Sequence, residues 1–293
     1  MLSAVKLKLA LACAAGLAGP LAVAPLVSHH ATRNFAAGEP AMVELAPGAM
    51  SYRAAGEFTK DGKVVEAPLL SIRSSRRLAI MQQQVSSADY QACVDDGACQ
   101  ALDRDVAIAI DRPAVQVSWH DANAYAAWLS RKTGRHYRLP TDREWAWAAG
   151  SKFADDGVAI DADNPAQRWI ARYDREAGRD SDTATRPFGA FGINENGLAD
   201  LSGNVWEWTA TCFERSVLDD AGALAKTNAN CGVRIAEGAH RAYVTDFIRD
   251  ARAGGCAAGT PPDNLGFRLV RDEPSVLDQI AARFGRALSS ARS

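Results

Sequence analysis

GINENGLADLSGNVWEWT, residues 192–209, sets Gly197, Gly203, Asn194, Asn196 and Asn204 around Trp206 and Trp208, with Glu207 between the two rings. Gly and Asn enter tight turns and the left-handed region at little steric cost. The tryptophans bring large buried area, and each indole N–H needs a partner. The stretch is too rich in turn residues for a long helix and too aromatic for a solvated loop. It predicts a core built from loops.

The rest of the chain fits one domain around that core. The 293 residues are 47% apolar, enough to bury a sizeable interior. A formal net charge of −2 gives no overall basic footprint, so nucleic acid is not expected as a partner. Lys6 and Lys8 precede an apolar run over 9–27, the pattern of a secretory signal. Residues 1–30 are read as a signal peptide or, uncleaved, as an N-terminal anchor, which would be the only membrane contact. Pro20 and Pro25 interrupt the run. The expected location is the periplasm.

Export makes the cysteines legible as disulfides. Cys93 and Cys99 flank VDDGA, where Gly97 can turn the chain. Cys212 and Cys231 flank a polar insertion without hydrophobic periodicity, read as a loop. A bridge there is worth ~3 kcal/mol on the loop-entropy model. Cys256 is left over, either a buried free thiol or a copper ligand or redox thiol.

Local signals place the elements. Residues 42–52 and 63–71 read as strands joined by a turn at Asp61-Gly62, and 78–84 as a short strand. Ser86 is a candidate N-cap. Ser118 with Asp121 forms a capping box for a helix to about Lys132 that stops at Gly134, with Ala122, Tyr125, Ala126 and Leu129 inward. Thr141 with Glu144 forms a second, for a helix that carries Trp145, Ala148 and Ala149 inward. Residues 152–187 read as a polar surface excursion. Residues 273–293 read as a C-terminal amphipathic helix beyond the domain, which is set at 40–272.

GLADLSGNVWEW resembles the signature of the formylglycine-generating-enzyme or sulfatase-modifying-factor superfamily. Two further blocks agree in order and spacing: VSWHDANAYAAWLSRKTGRHYRLPTDREWAWAAG, 117–150, and NLGFRLVR, 264–271. The resemblance implies a single α+β domain, loop-rich and C-type-lectin-like. It also implies that Asn204 and Glu207 hold a structural calcium, an oxygen-donor site suited to a hard cation. The alternative is that both only satisfy backbone N–H groups.

Catalytic members of that superfamily oxidise a substrate cysteine to formylglycine with a pair of Cu(I)-binding cysteines, soft ligands for a soft ion. The matching window here, HRAYVTDF at 240–247, contains no cysteine. A histidine-triad iron site is not expected, because His120, His136 and His240 lack ligand spacing. The segment offers Arg241, Tyr243, Asp246, Arg249, Asp250 and Arg252 near Trp206. They form either a polar cleft for an anion or peptide, or a buried Arg–Asp network. His240 and Cys256 are the candidates if a rearranged copper site exists.

Two blocks, LAIMQQQVSSADYQACVDDGAC and YVTDFIRDARAGGCAAGTPPDNLGFRLVR, also resemble exported accessory proteins encoded beside bacterial copper nitrite reductases. That resemblance implies a protein client, possible copper handling and a role in denitrification. The other expectation is a copper-dependent oxidoreductase acting on a protein or peptide thiol.

Overall fold

The computed structural model describes residues 39–103, 105–154, 170, 184–250 and 264–273. The expected signal segment, the C-terminal helix, Arg252, Cys256 and most of the 152–187 excursion lie outside the described residues.

The first strands are β1 (Met42–Leu45), β2 (Gly48–Arg53), β3 (Glu57–Lys60), β4 (Lys63–Val65), β5 (Leu69–Ser74) and β6 (Leu78–Met81). Helices α1 (Ser87–Asp95) and α2 (Trp119–Thr133) follow, then β7 (His136–Arg138) and α3 (Asp142–Ala149). The remaining strands are β8 (Trp206–Leu218), β9 (Leu224–Glu237), β10 (Arg241–Thr245), β11 (Leu265–Gly266) and β12 (Val270–Asp272).

One antiparallel sheet runs β1-β6-β12-β7. A second runs β10-β9-β8-β3-β4, with β11 parallel to the start of β8. The pair β2-β5 stands apart as a ribbon.

Helix starts follow the capping chemistry. Ser118 accepts the N–H of Asp121, and Asp121 returns the bond to the Ser118 N–H. Thr141 and Glu144 do the same for α3. Gly134 closes α2 at φ 69°, in the left-handed region. Tyr125 of α2 packs edge-on against Phe267 at 5.4 Å and, tilted, against Trp128 at 5.2 Å. Trp145, Ala148 and Ala149 are fully buried with Leu198 and Val270.

Residues 192–205 form the loop core. The Asn194 amide donates to the carbonyls of Ala148 and Ala149, while its oxygen accepts the N–H groups of Asn196 and Leu198. Asp200 accepts from Gly189 and Phe191. The backbone is left-handed at Gly192, Gly197 and Asn204, and also at Asp200 and Ser202, which the composition did not single out. Trp208 donates to the Val117 carbonyl at 2.7 Å, and Trp206 to that of His240 at 3.0 Å.

Three sequence expectations are corrected. Residues 42–52 are not one strand: the chain breaks at Ala46-Pro47, and β1 and β2 join different sheets. The Asp61-Gly62 turn joins β3 to β4, and Pro68, which lacks an N–H, lies between β4 and β5. The insertion between Cys212 and Cys231 is not a loop but the outer half of the β8–β9 hairpin, turned at 219–223. Both expected disulfides, Cys93–Cys99 and Cys212–Cys231, are formed.

Candidate functional site

The β9–β10 turn brings the candidate segment against α3 and β2. Gly238 sits under the Trp206 ring, where a Cβ would come within 2.7 Å of indole carbons. Only glycine permits that approach. The His240 ring meets Trp206 at 5.3 Å, and its Nδ1 donates to the Arg241 carbonyl.

Arg241 then turns inward. Its Nε donates to Glu237 at 2.8 Å and its Nη2 to Asp142 at 3.1 Å, with all three side chains almost wholly buried. The Tyr52 hydroxyl donates to Asp142 as well. The guanidinium stands 5.6 Å from the Tyr52 ring and 5.5 Å from that of Phe153. Asp142 is the first residue of α3, where the helix dipole favours an anion. Burial opposes its ionisation, but the Arg241 charge and the hydrogen bonds from Arg241 and Tyr52 prevail and hold the carboxyl below the usual range. Burial works against the Arg241 charge too, and the two carboxylates override it, raising its pKa further.

The neighbouring candidates serve the fold in similar ways. Tyr243 accepts the N–H of Gly56, and its ring packs on Phe213 at 5.0 Å. Arg249 donates to Asp121 at 2.8 Å and to the Ala101 carbonyl, tying the α2 cap to the 101–103 loop. Asp246 accepts the Trp119 N–H through its backbone and faces His120 at 3.3 Å through its carboxylate. Asp250 is half-buried. Within this segment Arg241 belongs to a buried Arg–Asp network, with Asp142, Glu237 and Tyr52 as members that no local motif marks, while Asp246, Arg249 and Asp250 are half-buried.

The calcium expectation does not survive the geometry of its ligands. Both Glu207 oxygens are taken, Oε2 by Arg268 Nε at 2.6 Å and Trp145 Nε1, Oε1 by Arg268 Nη2 and Gln84. A guanidinium already supplies the positive charge a cation would bring. Asn204 instead brackets the backbone of Arg186, accepting from its N–H and donating to its carbonyl. The pair therefore does not fit a calcium ion. For copper, the four described cysteines are in disulfides.

Known proteins resemble this chain over part of its length. An inactive Cα-formylglycine-generating enzyme 2 from Mus musculus is 32% identical over 176 residues, 55% of this chain and 49% of that protein. A formylglycine-generating enzyme from Mycobacterium tuberculosis is 39% identical over 117 residues, 38% of this chain and 37% of that protein. The chain thus spans half or less of the length of these two relatives. The solved structure of PvdO from Pseudomonas aeruginosa superposes with a TM-score of 0.51 at 25% identity, covering 80% of this chain and 95% of that one. Residues 28–273 match the sulfatase-modifying factor enzyme 1-like domain, and the chain belongs to that family.

Proposed function

We propose that this protein is an exported accessory member of its family that binds a protein client and does not generate formylglycine. The observation that supports it most is the content of the 240–247 window. Where the copper thiols are expected, the chain places Arg241 and Tyr243, both committed to the interior. A guanidinium between two carboxylates neither binds Cu(I) nor carries out thiol oxidation. One relative is itself described as inactive.

The solvent side of the same region suits a client. Phe247 is 68% exposed and follows Asp246, whose carboxylate faces the exposed His120. Arg234 lies 3.9 Å over the neighbouring Trp119 ring. An aromatic and an arginine stacked on an aromatic are the residue types that anchor protein interfaces. The two blocks that resemble nitrite-reductase accessory proteins lead us to propose a periplasmic copper nitrite reductase as the client.

Biolayer interferometry with the purified reductase, in copper-loaded and copper-free forms, tests this reading. Binding that Phe247→Ala weakens supports it, and no binding to either form removes the reductase as the client.

A further inference from the structure

Away from the 237–250 segment, β5, the end of α2, β7, α3 and β12 enclose an open groove of about 1700 Å³. Its lining holds eight arginines against three acidic residues, in a chain whose net charge is −2. Glu144 and Asp272 are consumed by Arg138, at 2.7 and 2.9 Å. Arg135 and Arg271 pair with Glu39. Arg73, Arg76, Arg77, Arg131 and Arg143 line the groove, are exposed, and have no carboxylate partner among the described residues.

One wall is a strand edge. Ser71, Ile72, Arg73 and Ser74 all line the groove. Successive side chains of a strand point to opposite faces, so four in a row meet the groove along the edge. Among the described residues, the β5 backbone pairs only with β2. Its other edge offers alternating N–H and C=O groups.

We propose that this groove receives an extended acidic peptide segment of a partner protein, which adds as a strand to β5 while its carboxylates meet the arginines that have no carboxylate partner among the described residues. Strand addition supplies affinity and the arginines supply selectivity. The guanidinium fork matches a carboxylate in bidentate fashion. Phosphate chains use donors alone and would leave the β5 carbonyls unmatched, and a flat membrane does not enter a concave groove. The inference goes beyond the client reading, since the groove shares no residue with 237–250.

Fluorescence anisotropy tests it on the full exported chain, with a dye-labelled peptide of alternating Glu and Val as the probe. Controls are the same peptide with Lys for Glu, the Glu peptide N-methylated at alternate residues, and a single-stranded DNA of equal length. The Glu peptide is expected to bind at least about tenfold more tightly than the Lys peptide or the DNA. Arg76→Glu with Arg77→Glu is expected to weaken it at least about tenfold, as is N-methylation. Arg131→Glu is the second variant, and each must keep the parent melting temperature. Equal binding of the Lys peptide, tighter binding of the DNA, or indifference to the charge reversals overturns the proposal. Indifference to N-methylation overturns strand addition.

Discussion

The Arg268 guanidinium lies in bidentate contact with the Glu207 carboxylate, Nε to Oε2 at 2.6 Å and Nη2 to Oε1 at 2.7 Å, both wholly buried. The remaining Arg268 N–H groups donate to the carbonyls of Met81, Gln82 and Ala199. One side chain therefore joins β6, β8 and the 192–205 loop core.

Removing that cation leaves a buried carboxylate without a counter-charge. Arg268→Met is expected to lower unfolding free energy by about 3–5 kcal/mol. Urea unfolding checks it, and adding Glu207→Met to the variant should recover part of the loss. A single-variant loss below about 1 kcal/mol would show that the pair is not needed for stability.

Asp142 sets an acid limit. Its folded pKa lies below the unfolded value, so its contribution is present above about pH 4 and fades as pH falls through the folded pKa. Asp121, Glu144 and Asp272 are lowered too, by Arg249 and Arg138 and their hydrogen bonds acting against burial. Asp142→Asn should be less stable at neutral pH and show a shallower loss in acid. Melting temperatures across pH 2–7 would read this, and an unchanged slope would mean that Asp142 is not ionised in the fold.

The two disulfides should differ in worth. Cys212–Cys231 spans a sequence separation of 19 and Cys93–Cys99 one of 6. Serine pairs at these positions are expected to cost roughly 3 and roughly 2 kcal/mol respectively. Urea midpoints compare them, and a larger loss at the short bridge would reverse the expected order.

Local chemistry made part of this legible in advance. The α2 and α3 capping boxes, the inward faces of both helices and the loop core at 192–205 depend on neighbours within a few residues. The β8–β9 hairpin was hidden because residues 224–232 of its second strand are exposed on both faces and show no alternation. Arg241 and Asp142 lie 99 residues apart, so no spacing rule pairs them. The basic groove was invisible to net charge because its arginines come from separate segments and are offset elsewhere.

The most direct test of a family member that binds without oxidising is turnover of a cysteine peptide. The purified chain, supplied with Cu(I), oxygen and reductant, is assayed by mass spectrometry for conversion of cysteine to formylglycine, with Cys256→Ser alongside. No conversion by either protein is the expected result. Conversion by the parent that is lost in Cys256→Ser would contradict it and establish a rearranged copper site.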